Sequence, residues 1–309
     1  MKRLVPAAAV AAVLLTGASA QALRLPAARH CPVFPATSAW NQRVDRLPVA
    51  ADSAQLIASI GLDSPVHADF GSGTWDGGPI GIPFDVVSRR TPRTRVSFEY
   101  ADESDRVRYP IPQHVHIEGG PHASGDRHAI LVDKSTCRLY ELYDLQHTTH
   151  RWTAGSGAVW SLRSNDLRPA GWTSADAAGL PIFPGLARWD EVARGAIDHA
   201  LRFTAPRTRR AYVYPARHYA SSSNDPSLPP MGLRVRLKMS VNVASFPRQA
   251  RVVLRALQRY GMILADNGSP WYVSGAPNRH WSNDDLHSLG RLTGADFEVV
   301  DTSSLPGPG

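Results

Sequence analysis

The sequence of 309 residues contains only two cysteines and three lysines, and it lacks a long hydrophobic run. Two cysteines exclude a zinc site built from thiolates alone, because structural zinc takes four protein ligands. The apolar run at residues 7–15 is nine residues long, whereas a membrane-spanning helix needs about 20. The sequence therefore predicts neither a zinc–thiolate centre nor stable insertion into a membrane.

Lysine is rare because arginine supplies most of the positive charge. Lysine and arginine total 34 and aspartate and glutamate total 27, which leaves a net charge of +7. The arginines are spread along the chain, and no basic cluster is interleaved with aromatic residues. Nucleic-acid-binding proteins concentrate basic charge on one face or one element. We therefore expect no nucleic-acid partner.

The N-terminus has the three parts of a secretory signal peptide. A lysine and an arginine stand at positions 2 and 3, residues 7–15 are apolar, and residues 18–20 read Ala-Ser-Ala. This order of charged, apolar and small residues is typical of a segment that is removed during export. We predict that residues 1–20 are a signal peptide cleaved near Ala20 and that the protein is secreted or periplasmic.

Export changes how the two cysteines are interpreted. Cys31 and Cys137 form an even pair, and an oxidising compartment favours a disulfide over a reactive thiol, which is the alternative. A bridge would close a loop of about 106 residues and stabilise the fold by about 4–5 kcal/mol in the chain-entropy model. We predict that it fastens an extended N-terminal arm, residues 21–50, to the body of the protein.

Short strands separated by glycine- and proline-rich connections dominate the chain. Apolar–polar alternation predicts strands at residues 96–100, 115–118, 129–132, 138–143, 211–214 and 233–243. Helical periodicity predicts helices at residues 53–60, 190–202, 247–260 and 283–290. This pattern is typical of a mainly β fold, and we predict a single-domain, jelly-roll-like β-sandwich with a few peripheral helices and long loops. The domain would span residues 51–303, with a flexible tail at 304–309.

Five polar side chains form the densest candidate site in the sequence. On a strand, His114, His116 and Glu118 would share one face, because side chains alternate with a period of two. A glycine-containing hairpin would return Asp126 and His128 to the neighbouring strand. The two groups would then lie side by side.

This cluster supports three chemical interpretations. Glu118 and Asp126 suit acid/base chemistry, with His128 beside them, since neighbouring carboxyl groups acquire different pKa values in different environments. His114, His116 and Glu118 suit a metal, and their His-x-His core resembles the cupin motif. The glutamate follows that core too closely, however, and the upstream glycine of the motif is missing. The third interpretation is a solvated sheet face without catalysis.

A long segment without regular periodicity, residues 167–192, supplies further candidates. Asp176 lies there between small residues that would let a ligand approach, and the alternative is a turn cap. His199 follows the segment and is either catalytic or a hydrogen-bonded core histidine. Glu141 is either a half-buried carboxylate with a raised pKa or an exposed one, depending on the register of its strand.

Eight tryptophans, many of them in polar or glycine-rich loops, point to carbohydrate. Indole rings stack on the apolar faces of sugars. We assign Trp160, Trp172 and Arg168 to substrate binding. Arg234, Arg236 and Lys238, on the polar face of the longest predicted strand, either contact an acidic polysaccharide or form a solvated face that prevents edge pairing.

Several short segments resemble a family of exported bacterial proteins without an established activity. The segments are Thr-Ser-Ala-Asp-Ala-Ala-Gly-Leu-Pro at 173–181, Pro-Gly-Leu at 184–186, His-Ala-Leu-Arg-Phe-Thr at 199–204, Pro-Pro-Met-Gly at 229–232 and Ala-Asp-Asn-Gly-Ser at 265–269. The resemblance spans most of the chain after the signal peptide and implies a secreted single domain. Some members of that family occur beside carbohydrate-binding modules. The resemblance assigns no catalytic residue.

Export, loop tryptophans and carboxylates together predict a secreted carbohydrate-active enzyme that cleaves a polysaccharide. Hydrolysis is favoured over lyase chemistry, and no cofactor is expected. Catalysis is assigned to Glu118, Asp126, His128, Asp176 and His199. The alternatives are a non-catalytic extracellular glycan- or cell-wall-binding protein and a metal-dependent, cupin-like enzyme. A serine hydrolase is disfavoured because the sequence contains no Gly-x-Ser-x-Gly motif.

Overall fold

The computed structural model describes residues 23–149 and 151–306. The predicted signal peptide and most of its cleavage region lie outside the described residues, as does the end of the predicted tail. Helix accounts for 18% and strand for 25% of the structure, so the mainly β prediction is confirmed. None of the described helices is long and apolar enough to cross a membrane.

The described residues form sixteen short strands and four α-helices. The strands are β1 His67–Asp69, β2 Thr74–Trp75, β3 Gly78–Pro79, β4 Phe84–Val87, β5 Thr94–Phe98, β6 Arg108–Tyr109, β7 Ala129–Asp133, β8 Arg138–Tyr143, β9 Gln146–His147, β10 Trp152–Ala154, β11 Ser156–Ser161, β12 Leu201–Ala205, β13 Arg234–Leu237, β14 Met262–Asn267, β15 Tyr272–Ser274 and β16 Phe297–Val299. The helices are α1 Ser53–Gly61, α2 Trp189–Arg194, α3 Arg248–Arg259 and α4 Asn283–His287. Short 3-10 turns lie at Pro26–Ala28, Ala39–Asn41, Phe183–Gly185, Val243–Ser245, Ser288–Arg291 and Gly294–Asp296.

The larger sheet has six strands in the order β1-β15-β12-β14-β13-β16. It is mixed: β12 and β14 are parallel, while β13 and β14 are antiparallel. Its hydrophobic core is shared with α1, α3 and α4. The predicted apolar face of α3 is confirmed, since Ala250, Val253, Leu254 and Leu257 are all fully buried. Burial of this face, more than helix propensity, holds α3 in place.

The second part of the fold is a four-stranded sheet, β11-β8-β7-β4, covered on both faces. One face, which includes Ile130 and Leu139, packs against the N-terminal arm and the segment around Phe183. The other face, which includes Leu131, packs toward the smaller sheet β6-β5-β10-β9. Strand β7 is therefore buried along its whole length, as expected of a strand covered on both sides.

The N-terminal arm is held by more than one kind of contact. The predicted Cys31–Cys137 disulfide is confirmed. Arg234 and Arg236 are buried and donate hydrogen bonds to the carbonyl oxygens of the arm. Their acceptors are Ala39, Gln42, Val44 and Leu47. Arg236 also pairs with Glu298. Both arginines are thus buried in contacts within the protein, so neither predicted role, a solvated face or an acidic polysaccharide site, is correct for them.

Two of the predicted elements end well before their predicted limits. The strand predicted at 233–243 ends at Leu237, because the chain turns directly after it and the Val241 N–H donates to the Lys238 carbonyl. The helix predicted at 190–202 stops at Arg194, where Gly195 adopts a φ of +92°. The end of that predicted helix is strand β12. A left-handed glycine ends a helix readily because it has no Cβ to clash.

Two further predicted strands are replaced by irregular backbone. Residues 115–118 form no strand, and residues 211–214 contribute only an isolated bridge between Tyr212 and Met231. The geometry expected for His114, His116 and Glu118 on one strand face is therefore wrong. Strands at β7 and β8, by contrast, match the predicted ranges to within one residue.

Candidate active site

An open cleft of about 420 Å³ lies where β14 of the larger sheet meets β8 and β11 of the four-stranded sheet. The segment at 173–177 forms another part of its wall. Four carboxyl groups, two tyrosines and one histidine line it: Glu103, Asp126, Asp176, Asp266, Tyr100, Tyr143 and His218. Two sheets and an ordered segment thus bring together side chains that are far apart in sequence.

An aspartate–arginine pair forms the buried floor of the cleft. Arg202 on β12 donates from Nε and Nη2 to the two carboxylate oxygens of Asp176, both at 2.8 Å. The remaining nitrogen of the guanidinium, Nη1, donates to Ser274 Oγ at 2.8 Å. Asp176 is 1% exposed. The bidentate geometry fixes both side chains, so Asp176 is an ion-paired group and not a turn cap.

Asp266 extends this pair toward solvent. Its Oδ2 atom lies 3.3 Å from Arg202 Nη2, and its Oδ1 accepts the backbone N–H of Asn267 at 2.7 Å. The side chain is 21% exposed. Burial, together with the negative charge of Asp176, raises the pKa of Asp266 to about 7 against the opposing effect of Arg202. A carboxyl group that exchanges its proton near neutral pH is suited to acid/base catalysis.

Glu118 and His128 form a second ion pair behind the cleft wall. His128 is 2% exposed; its Nδ1 donates to Glu118 Oε2 at 2.5 Å and its Nε2 donates to the Ala175 carbonyl at 2.8 Å. Both ring nitrogens face acceptors, so the ring is the doubly protonated imidazolium. Burial opposes this charge, but the attraction and hydrogen bond of Glu118 outweigh it and raise the pKa of His128 to about 9. His128 thereby positions the residue that precedes Asp176.

The predicted partnership of Glu118 with Asp126 is not what the structure shows. Glu118 is paired with His128 and does not line the cleft, whereas Asp126 is exposed and does. The carboxyl groups that share the cleft with Asp126 are Asp176 and Asp266. The loop at 119–127, which connects Glu118 to Asp126, is fixed by the buried Arg127, whose guanidinium donates to several backbone carbonyls.

The alternative metal site is not assembled among the described residues. His114 and His116 are exposed, and His116 Nδ1 pairs with Asp85 at 2.6 Å. Their ring nitrogens do not converge with a Glu118 oxygen to within 4.8 Å in the part of the chain that is described. A group that does converge includes Cys31 and Cys137, whose sulfurs are already joined in the disulfide.

His199 lies in a separate buried cluster. Its Nε2 contacts Glu191 Oε2 at 3.0 Å and its Nδ1 contacts the Ala200 carbonyl at 2.7 Å. Glu191 also accepts a hydrogen bond from Arg188. His199 is 1% exposed and does not line the cleft. The arrangement is that of a hydrogen-bonded core histidine, so the catalytic assignment of His199 is not supported by its position.

The predicted substrate-binding group supports the cleft wall from behind. The Arg168 guanidinium lies 5.7 Å from the Trp160 ring and 5.5 Å from the Trp172 ring. It donates to Asp105 and to the Thr173 carbonyl, each at 2.6 Å. Arg168 and Trp160 are buried, and none of the three lines the cleft. Of the eight tryptophans, Trp75 alone is exposed, so most indole rings serve packing.

Glu141 faces inward and holds the segment that follows Asp176. It is fully buried, and its two carboxylate oxygens accept the backbone N–H groups of Ile182 and Phe183, both at 2.8 Å. Burial raises the pKa of Glu141 to about 8, although the two backbone hydrogen bonds act in the opposite direction. The register of β8 is thereby decided: Glu141 anchors a loop and is not a solvent-exposed group.

Five residues of the cleft wall were not identified from the sequence: Glu103, Asp266, His218, Tyr100 and Tyr143. None belongs to a catalytic motif; Asp266 lies near the end of β14, and His218 lies in irregular backbone. The sequence held one indirect signal for Asp266. It lies in one of the segments that carry the family resemblance, 265–269, and its contacts Asp176 and Arg202 lie in two others, 173–181 and 199–204. His218 Nδ1 lies 2.8 Å from the Ala177 carbonyl. Nδ1 therefore donates to this carbonyl.

Among protein-family models, curated proteins and solved structures, none matches this chain. The roles of the cleft residues therefore follow from their geometry and chemistry.

Proposed function

We propose that the protein is a secreted glycoside hydrolase that cleaves a polysaccharide in the cleft between the two sheets. The observation that carries the proposal is the presence of two unlike aspartates in one open cleft. Asp266 is held against the Asp176–Arg202 ion pair, whereas Asp126 is exposed to solvent. Glycoside hydrolysis requires two carboxyl groups of this kind, one as acid and one as base or nucleophile.

Asp266 is the proposed general acid. Its proton passes to the glycosidic oxygen as the bond from that oxygen to the anomeric carbon breaks. Asp126, as the base, takes a proton from the water that attacks the anomeric carbon, so one water is consumed and two sugar ends are released. The raised pKa of Asp266, caused by burial and by the charge of Asp176, supports this assignment because the acid must be protonated near neutral pH.

Asp176 and Arg202 are proposed as positioning residues. The guanidinium is bound to both Asp176 oxygens and to Ser274, so it holds the Asp266 carboxyl group from below without being free to bind substrate. Tyr100 and Tyr143 line the same cleft and supply ring faces on which sugars stack. The Cys31–Cys137 disulfide supports an exported protein, because disulfides persist in oxidising compartments.

Lyase chemistry is the second candidate because His218, Tyr143 and Asn267 line the same cleft. Such a reaction needs a base at the sugar ring and a group that neutralises the uronate carboxylate. The cleft carries Asp126 and Glu103, whose negative charges would repel a uronate. Hydrolysis of a substrate without carboxylates is therefore favoured.

Incubation of the purified protein with a panel of neutral and acidic polysaccharides tests the proposal. We expect new reducing ends without the absorbance of unsaturated uronates. Asp266→Asn and Asp126→Asn should each lower the rate by about 10²–10⁴-fold, the usual contribution of a positioned acid or base. Asp63→Asn is the matched control, since Asp63 is exposed and lies outside the cleft, and its rate should equal that of the wild type.

The other outcomes are equally specific. Unsaturated products would replace hydrolysis with lyase chemistry. Binding of a glycan without product would identify a non-catalytic glycan-binding protein. Full activity in the Asp266→Asn variant would remove Asp266 from catalysis.

A further inference from the structure

A second cleft, of about 320 Å³, lies beside the start of α2 and shares no wall residue with the cleft between the sheets. Phe84, His116, Arg188, Trp189, Asp190 and Asn278 contribute to its wall. Its composition, an aromatic ring next to an arginine, an aspartate and an asparagine, differs from that of the first cleft, whose wall carries four carboxyl groups.

Arg188 is buried, and some of its N–H donors have no hydrogen-bond partner among the described residues. The side chain is 1% exposed, its Nη2 donates to Glu191 Oε1 at 2.6 Å, and its guanidinium lies 5.1 Å from the Phe183 ring. Nε and Nη1 find no hydrogen-bond partner among the described residues. A buried guanidinium donor without an acceptor costs free energy. An acceptor oxygen supplied by a ligand would remove that cost.

The charges around Arg188 identify the class of ligand. Arg188 already faces two carboxylates: Glu191 is hydrogen-bonded to it, and Asp190 Oδ1 lies 3.7 Å from Nε. Its positive charge is therefore compensated, and an anionic ligand would meet both carboxylates. The missing partner is an uncharged acceptor oxygen. A sugar hydroxyl fits, because it accepts from Arg188 while a neighbouring hydroxyl donates to Asp190.

The aromatic side of the cleft is held in place by other rings. Trp189 is half-buried; its ring lies 5.5 Å from the His280 ring at an interplanar angle of 26° and meets Trp281 edge-on at 5.5 Å. A ring fixed in this way offers an apolar surface at little entropic cost. Asn278 Oδ1 accepts the backbone N–H of His280 at 3.0 Å, which leaves its NH₂ group as a donor.

We propose that this second cleft binds a neutral sugar unit of a glycan. The hydroxyls contact Arg188 and Asp190, and an apolar face of the sugar ring lies on Trp189. The site binds and does not cleave, because Asp190 is the one carboxyl group in its described wall, whereas glycoside hydrolysis needs two. It stands independently of the hydrolase proposal, since a non-catalytic protein would use it equally.

Two measurements with neutral oligosaccharides test the site: isothermal titration calorimetry for affinity, and hydrogen-exchange mass spectrometry for the location of binding. Cello-, xylo-, manno- and chito-oligosaccharides are the probes, and a galacturonate oligosaccharide is the anionic comparison. At least one neutral probe should bind and slow exchange in peptides covering residues 186–194 and 276–280. Asp190→Asn should weaken that binding by at least 10-fold. Asp198→Asn, the same change at a residue whose side chain is 43% exposed and which lies outside this cleft, should leave it unaltered.

Arg188→Lys is not the deciding variant, because loss of the guanidinium would leave Glu191 poorly paired in the core. Asp190→Asn and Trp189→Phe decide the question, with circular dichroism and thermal unfolding to show that both variants fold. Asp266→Asn alters the first cleft and not the second. In this variant, the neutral probe should still slow hydrogen exchange at residues 186–194. The proposal is overturned if no neutral probe protects these peptides, if Asp190→Asn binds as the wild type does, or if the galacturonate probe binds more tightly.

Discussion

At the scale of single residues, two buried ion pairs lie around the cleft, and each has a structural consequence. Arg202 is hydrogen-bonded to Asp176, and His128 is hydrogen-bonded to Glu118. Removing one partner of such a pair leaves a buried charge without compensation, which is more costly than the pair itself is stabilising. The pairs therefore fix the floor and the rear wall of the cleft, while Asp266 and Asp126 remain available for chemistry.

The Glu118–His128 pair predicts a pH dependence of folding stability. The pKa of His128 is raised from an ordinary value of 6.5 to about 9. A histidine with a raised pKa in the folded state stabilises the protein fully below pH 6.5, and the contribution is lost as the pH rises through 9. The difference in pKa corresponds to about 3 kcal/mol.

Urea unfolding of wild type and Glu118→Gln at pH 6, 7.5 and 9 measures this contribution. The variant should be less stable at pH 6, and the two proteins should converge at pH 9. Glu141 adds a fall in stability of the same sign up to about pH 8, because its pKa is also raised, but that fall is common to both proteins. Asp85→Asn, which alters the exposed pair with His116, should track the wild type. Parallel curves for Glu118→Gln and the wild type would contradict the assignment.

At the scale of elements, loops are held to sheets by side chains that replace missing backbone hydrogen bonds. Glu141 on β8 accepts two N–H groups at the turn Phe183–Gly185, and Arg234 and Arg236 on β13 donate to the arm. Buried N–H and C=O groups need hydrogen-bond partners in irregular backbone as much as in helices and strands. Long loops in this protein are therefore ordered parts of the fold.

Glu141→Gln tests how much one such anchor contributes. Glutamine keeps one acceptor oxygen but places an NH₂ group against the second backbone N–H, so one buried donor loses its acceptor. We expect a loss of about 1–3 kcal/mol in the free energy of unfolding. Glu99→Gln is the matched control because Glu99 is exposed, and it should change stability by less than about 0.5 kcal/mol. Equal effects of the two substitutions would show that the anchor is unimportant.

At the scale of the whole molecule, the disulfide joins the arm to the connection between β7 and β8, across 106 residues of chain. A crosslink between such distant residues restricts the unfolded chain strongly, and the chain-entropy model assigns about 4–5 kcal/mol to it. The arm also contacts β13 of the other sheet. The disulfide and the two arginines thus connect both halves of the fold through one segment.

A Cys31→Ser, Cys137→Ser double variant should lose a large part of that 4–5 kcal/mol, measured by urea unfolding. Reductant should lower the stability of the wild type to that of the double variant. It should leave the double variant unchanged, which controls for effects of the reductant other than cleavage of the disulfide. An unchanged midpoint in both experiments would mean that the buried arginine contacts hold the arm without the crosslink.

The sequence by itself determined the features that depend on local periodicity, and it determined the disulfide because only two cysteines are present. The pairing of Cys31 with Cys137, the apolar face of α3 and the strands β7 and β8 all follow from periodicity or from there being one possible partner. Local pattern carries this information because side chains repeat every two or 3.6 residues along a regular element. The mainly β class follows from the same periodicity.

Only the tertiary structure decided which polar residues meet. Asp176, Arg202 and Asp266 converge from separate segments. Asp126 shares the cleft with Asp176 and Asp266, and not with Glu118, its predicted partner. Alternation along a strand shows that two faces differ, but it does not show what covers each face; Arg236 therefore looked solvated and is buried under the arm. The register that turns Glu141 inward was undecided for the same reason, because burial is a property of the packed molecule and not of the strand.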